Sequence, residues 1–263
     1  MGEIVSGIVK TPRVSISPTV DDFEIAAAGA ALEVITAAVH ERGGCLIALS
    51  GGSTPCGVYR RLGDLLVTQS VDMSRAYLIF VDERMVPPDD PDSNYGMIRR
   101  EFISRVPMLP SHVYRIKGEE KADSAARDYE RELQTVFPLF AGRCDLIVLG
   151  VGEDGHTASL FPGTTVLHEQ QHKVRAVFVP RPKNWRVTLT LPAINRARTV
   201  FFLVAGEQKA AIVGKIFAST QSREDLPATL VRPDSGTPTW MLDAEAASRL
   251  PSERSTKPDT TFL

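Results

Sequence analysis

Four short apolar runs constrain this chain more than any other feature: CLIALS (45–50), AYLIFV (76–81), CDLIVLGVG (144–152) and TVFFLVAG (199–206). Each is too short for a free-standing helix and is bounded by glycines or polar residues, so each reads as a strand buried on both faces. RAVFVP (175–180) and RVTLTL (186–191) read as two further strands. Helical patterns fill the gaps. Residues 19–40 open with Asp21, Asp22 and Glu24 and run alanine-rich to Gly43-Gly44, an acidic start and a glycine stop. Val58, Leu62, Leu65 and Leu66 mark a second helix, and a third begins near Ser93 behind the Pro/Asp-rich loop 86–92. A fourth covers 121–137, with Glu130 and Gln134 among its exposed positions, and a fifth covers 207–218. Strands alternating with helices predict an α/β fold: a Rossmann-like, mostly parallel sheet with helices on both faces. We expect a single domain over residues 1–250, with room for a small subdomain, and a flexible polar tail over 251–263.

This layout predicts a site before any motif is read. In open parallel sheets, ligands bind beyond the carboxyl ends of the strands. GGSTP, DER, EDGH and the loop after VAG all leave strands at that edge, and four polar loops converge there.

The first loop, Gly51-Gly52-Ser53-Thr54-Pro55, turns from a strand into a helix. Such a turn exposes backbone N–H groups beside the partial positive charge of a helix N-terminus, and Ser53 and Thr54 add hydroxyl donors. It reads as a phosphate cradle, or else as a plain tight turn. It lacks the Gly-Lys-Ser/Thr ending of a nucleotide P-loop and is not a GxGxxG fingerprint. Asp82-Glu83-Arg84 follows an apolar strand directly, and charges there are either solvated or functional, because burying them unpaired is costly. Arg84 presents a two-pronged donor to phosphate or to a developing oxyanion. In GVGEDGHTASLFP (150–162), Asp154 stands two residues before His156. The carboxylate can hold the imidazole in one tautomer while the ring takes a proton from water; a capping or turn role is the plainer alternative. Lys183, Arg186 and Lys209 are cations at loop or strand-start positions, and Lys209 opens the helix after the VAG strand.

His168-Glu169-Gln170-Gln171-His172 matches the HExxH zinc pattern in its letters. That chemistry needs a helix presenting both imidazoles to one metal, plus a third ligand. Between Pro162-Gly163 and the strand at 175 there is barely room for two turns, and no apolar face, so a solvated polar turn is the better reading and no metal is expected. Cys45, Cys56 and Cys144 are an odd number without metal-ligand spacing; Cys45 and Cys144 open strands, where buried thiols fit a reducing compartment. The net charge of −2 points to neither nucleic acid nor an anionic membrane. No run reaches the roughly 20 apolar residues of a membrane span, and residues 1–18 lack the apolar core of a signal peptide. The cytoplasm is the expected location; the terminal Thr261-Phe262-Leu263 is only a distant cousin of a peroxisomal tripeptide.

Taken together, these motifs resemble the 6-phosphogluconolactonase family, which shares a larger group with glucosamine-6-phosphate deaminases. The resemblance runs from LSGGSTP through VDERMVPPDDPDSNYG and LGVGEDGHTASLFPG to RVTLTLPAIN and VAGEQK, in order. It implies a cofactor-free hydrolase that opens a phosphosugar lactone; a monomer or weak homodimer is our own expectation, since no exposed apolar stripe stands out in the sequence. His156 would be the general base, Asp154 its orienting group, and Arg84 a substrate contact that stabilises charge. Gly52, Ser53 and Thr54, with Lys209 and Arg186, would hold the phosphate; Gly51, Asp82 and Lys183 complete the candidate binding set. The deaminases carry a carboxylate in the loop after this histidine, where Phe161 stands here. A non-catalytic phosphosugar sensor would keep GGST and Lys209 without needing the Asp154/His156 pair.

Overall fold

The computed structural model describes residues 12–180, 183–218 and 223–251. Ten strands and seven α-helices alternate along the described chain. The strands are β1 (Arg13–Ser17), β2 (Cys45–Leu49), β3 (Ala76–Phe80), β4 (Asp82–Arg84), β5 (Val113–Tyr114), β6 (Leu146–Leu149), β7 (Val174–Pro180), β8 (Lys183–Leu189), β9 (Thr199–Val204) and β10 (Thr239–Asp243). The helices are α1 (Val20–Arg42), α2 (Pro55–Thr68), α3 (Asn94–Glu101), α4 (Ala122–Val136), α5 (Leu191–Asn195), α6 (Ala210–Ala218) and α7 (Ala244–Ala247).

Seven strands form one parallel sheet in the order β1-β10-β9-β6-β2-β3-β5. The predicted parallel α/β sheet is therefore present. Its centre, β2 and β6, is wholly buried, as the continuous apolar runs require. From β2 the chain steps outward to β3 and β5, then returns to β6 and steps the other way to β9 and β10. The strand order thus reverses between β2 and β6. That is the topological switch point, where the loops after the two strands diverge and leave a crevice. GGSTP follows β2 and EDGH follows β6.

Three features depart from the sequence reading. RAVFVP and RVTLTL do not join the parallel sheet; β7 and β8 pair antiparallel, and β8 pairs antiparallel with β4. Only two residues separate β7 from β8, far too few for the crossover that parallel strands need. And Asp82-Glu83-Arg84 is not a loop but β4 itself, with Asp82 and Glu83 buried at 4% and 2% exposure. The outer strands β1 and β10, which complete the far edge, were also not foreseen.

Helix α1 shows how the sheet is covered. Thr19 caps its start, accepting from the Asp22 N–H at 3.1 Å, and Gly43 ends it in the left-handed conformation at φ 73°. Phe23, Ala27, Ala28, Ala31, Leu32, Ile35 and Ala38 form its buried face, small enough for close packing. Among the described residues α1 has the length and apolar content of a membrane span, against the sequence expectation; here its apolar face packs into the protein core. In α4, Gln134 is exposed as expected, but Glu130 is half-buried: it accepts from His172 Nδ1 at 2.9 Å and from the Lys173 N–H at 2.6 Å. The polar tail lies outside the described residues apart from Pro251.

Candidate active site

The crevice at the switch point is a cleft of about 390 Å³, lined from all four predicted loops. Gly51, Gly52, Ser53 and Thr54 form one wall, and Gly150 to Gly152 with Glu153, His156, Thr157 and Ala158 form another. Asp82, Arg84 and Arg186 come from the small antiparallel sheet, and Gln208 and Lys209 from the turn after β9.

The turn 51–55 leads directly into α2 at the mouth of the cleft. Pro55 begins α2, Thr54 makes no side-chain cap, and no acidic residue occupies the first turn. Pro55 has no N–H and the Cys56 N–H donates to the Ser53 carbonyl at 3.2 Å, so what the turn offers the cleft is its own backbone and the Ser53 and Thr54 hydroxyls, with the positive end of the helix dipole behind them. Gly51 is required by close approach: a Cβ there would lie 1.7 Å from Asn94 Oδ1.

The base loop is wound tightly. Gly152 N–H donates to the His156 carbonyl at 2.8 Å, and Thr157 Oγ1 donates to the Gly150 carbonyl at 2.8 Å. His156 Nδ1 stands 2.5 Å from Asp154 Oδ1, and the His156 backbone N–H meets the same oxygen at 3.1 Å. Partial burial raises the Asp154 pKa, but the hydrogen bonds and charge of His156 outweigh it and leave the carboxyl below its ordinary value. With Nδ1–H engaged by the carboxylate, Nε2 is the free basic nitrogen. Gly152 makes room for the ring, since a Cβ there would lie 2.1 Å from two of its atoms. Phe161, 7% exposed, stacks on that ring with centroids 3.9 Å apart.

The cations are arranged unusually. Arg84 and Arg186 are directly opposed partners across the β4–β8 ladder. Opposed side chains project to the same face, and like charges there repel. Burial lowers the Arg186 pKa; Asp82 opposes that shift and Arg84 adds to it. Arg84 Nη1 donates to the Asp92 carbonyl, whereas its Nε is buried without a protein partner. Such a pair is set to receive an anion. Lys209 lies in the 3-10 turn 207–209 leading into α6. Asp243, at the end of β10, holds that turn by accepting from Gly206 N–H at 3.0 Å.

Two expected ligands sit differently. Asp82 reaches the cleft, but its carboxylate is taken by the scaffold, accepting from Ser159 Oγ at 2.6 Å and Asn94 Nδ2 at 3.2 Å. These bonds brace the site. Lys183 is exposed at the start of β8, three residues before Arg186, and does not line the cleft; three residues of strand span about 10 Å.

Other residues at the site were given no individual role from the sequence. Ser50 lines the cleft with its Oγ buried and unpartnered, and Asn94 and Gln208 line it too. Glu83, beneath Arg84, accepts from the N–H groups of Arg84, Asn94 and Tyr95 at 2.7–2.8 Å, fastening β4 to the start of α3. Its burial raises its pKa in spite of these bonds. The charged triplet after β3 was the only signal pointing to it.

The HExxH letters do not form a zinc helix. His168 ends a 3-10 turn, Glu169 accepts from the N–H groups of Gln171 and His172, and His172 turns to Glu130. The two imidazoles have separate partners.

Fold and cleft together define a doubly wound α/β protein with a cation-lined, histidine-bearing cleft at its switch point. The family model of glucosamine-6-phosphate isomerases/6-phosphogluconolactonase matches residues 18–240. A 6-phosphogluconolactonase of Homo sapiens is 41% identical over 238 residues, covering 84% of this chain and 89% of that protein. One from Synechocystis is 39% identical, covering 82% and 89%. The solved 6-phosphogluconolactonase of Trypanosoma brucei superposes with a TM-score of 0.81 at 32% identity, covering 92% of this chain and all of that one. This chain belongs to the glucosamine-6-phosphate isomerase/6-phosphogluconolactonase family.

Proposed function

We propose that the chain hydrolyses 6-phospho-D-glucono-1,5-lactone to 6-phosphogluconate, the lactone-opening step of the oxidative pentose phosphate pathway. Its relatives bear that name, and the observation that carries the reaction is the Asp154–His156 pair facing a cleft walled by the helix-terminal cradle and the Arg84/Arg186 pair. A lactone is an activated ester, so water suffices as nucleophile once it is deprotonated. His156 Nε2 takes a proton as the water oxygen bonds to the ring carbonyl carbon. Asp154 stabilises the imidazolium that forms. When the bond from that carbon to the ring oxygen breaks, the imidazolium returns the proton to the departing oxygen. The product carboxyl then ionises.

The phosphate belongs at the cradle of Gly52, Ser53 and Thr54 with Lys209, and its binding energy positions the carbonyl. The arginine pair then faces the developing oxyanion, where each well-placed donor is worth about 3–4 kcal/mol. Ser50 Oγ and Arg84 Nε are donors that a sugar hydroxyl or oxyanion would satisfy. Deamination is less well supported, because the apolar ring of Phe161 occupies the place of the deaminase carboxylate. The free thiols of Cys45, Cys56 and Cys144 support a reducing, cytoplasmic setting.

The test is hydrolysis of freshly generated lactone above its spontaneous rate. The native chain should turn over rapidly, and His156→Ala should lose about 10²- to 10⁴-fold in kcat. Undiminished turnover by that variant would refute the histidine mechanism, and none by the native chain would refute the activity.

A further inference from the structure

We infer that Phe161 is a positioning residue for the base: its ring sets the plane of the His156 imidazole, and so the direction in which Nε2 points. The inference rests on the lactonase reading. Phe161 and His156 stack with centroids 3.9 Å apart and planes inclined by 22°. Phe161 is buried, whereas the His156 side chain is 27% exposed, so the more open ring lies on the more buried one.

The Asp154 bond alone does not aim the imidazole. It holds Nδ1 at one point in the ring plane, and the ring can still rock about that point. A flat partner on the ring face removes this freedom. Together the two contacts leave Nε2 one direction.

The same phenyl ring carries a second group. The Arg186 guanidinium carbon lies 5.4 Å from its centroid, within cation–π range. The base lies on the loop after β6 and the cation on β8, and one buried side chain contacts both. An aliphatic residue could fill the volume but would offer neither group a flat face. Loss of aim falls on the chemical step, where small misplacements of a reacting group are expensive, and much less on phosphate binding at the opposite wall.

The experiment compares Phe161→Leu and Phe161→Met, which keep burial without the ring, with Phe161→Tyr, which keeps the ring. Folding is checked by thermal melting. With 6-phosphogluconolactone, both aliphatic variants should lose about tenfold or more in kcat while KM stays within about twofold, and the tyrosine variant should recover most of the loss. NMR supplies a readout independent of turnover: the His156 ring protons should lie upfield in the native chain, shielded by the phenyl ring current, and move downfield in the leucine variant. Native kcat in the folded leucine and methionine variants would overturn the inference. So would an equal loss in the tyrosine variant, or unshifted ring protons. Should the leucine variant fail to fold, the methionine and tyrosine variants decide between the same outcomes. Absence of turnover by the native chain is a different result, overturning the lactonase reading itself.

Discussion

Ser159 Oγ donates to Asp82 Oδ2 across 2.6 Å, joining residues 77 positions apart in the chain. Ser159 N–H also donates to Thr188 Oγ1 at 3.1 Å, and Asn94 Nδ2 donates to the other Asp82 oxygen at 3.2 Å. All four residues are buried. Through them the loop carrying His156 is tied to β4 with Arg84, to β8 with Arg186, and to the start of α3. The base and the arginine pair are thus held in one polar network beneath the cleft.

Ser159→Ala removes the donor that serves one oxygen of a buried carboxylate. Leaving such an acceptor unsatisfied costs about 1–3 kcal/mol. The denaturant midpoint should fall by the corresponding amount at unchanged m-value. An unaltered midpoint would show that the bond does not hold the site together.

Gly152→Ala places a methyl group 2.1 Å from His156 Cε1 and Nδ1 and 2.8 Å from Asp154 Oδ1. The imidazole is the movable party, so the fold should survive while the Asp154–His156 pair is displaced. We expect a melting temperature within about 3 °C of native and a kcat loss on the order of a hundredfold. Native kcat would mean that the ring tolerates the shift.

Asp154→Asn removes the charge that stabilises imidazolium and offers Nδ1 a choice of donor or acceptor, so the tautomer is no longer set. Because His156 holds the Asp154 pKa below its ordinary value, the carboxylate is ionised at neutral pH, and its charge is present where the enzyme works. The substitution should lower kcat about 10²- to 10⁴-fold with little change in KM. Steady-state kinetics on the lactone would check this, and a change confined to KM would contradict it.

Glu169 ties the segment before β7 together. Burial pulls its pKa upward, but the N–H groups of Gln171 and His172 and the side chain of Arg175 outweigh this and bring it to about 2, from an ordinary 4.5. A depressed carboxylate pKa adds stability that is complete above the unfolded value and lost as the pH falls through the folded one. Glu169→Gln should therefore lower the melting temperature at pH 7 by about 2–4 °C, equivalent to roughly 1 kcal/mol. The deficit should shrink below pH 4.5 and vanish near pH 2. A deficit independent of pH would assign the loss to packing instead of charge.

The apolar runs of β2, β3, β6 and β9 and the polar loops at their ends were legible from the sequence, because burial on both faces and glycine turns leave marks on adjacent residues. The same locality made Gly51 to Thr54, Arg84, the Asp154–His156 pair and Lys209 readable, and the order of their motifs pointed to the family. Tertiary structure alone decided what depends on distant partners. β4 carries three charged residues and has no strand pattern; it is a strand because β8, a hundred residues later, pairs with it. Asp82 became a brace through Ser159 and Asn94. Lys183, at the start of β8, was left out of the cleft lining. Phe161, conspicuous in the sequence only for the acid it replaces, gained its contact with His156 when the loop closed on itself. Apolar spacing reports whether a residue is buried, but its partners are set by chain reversals and pairings between segments far apart, which leave no signature in the residues beside it.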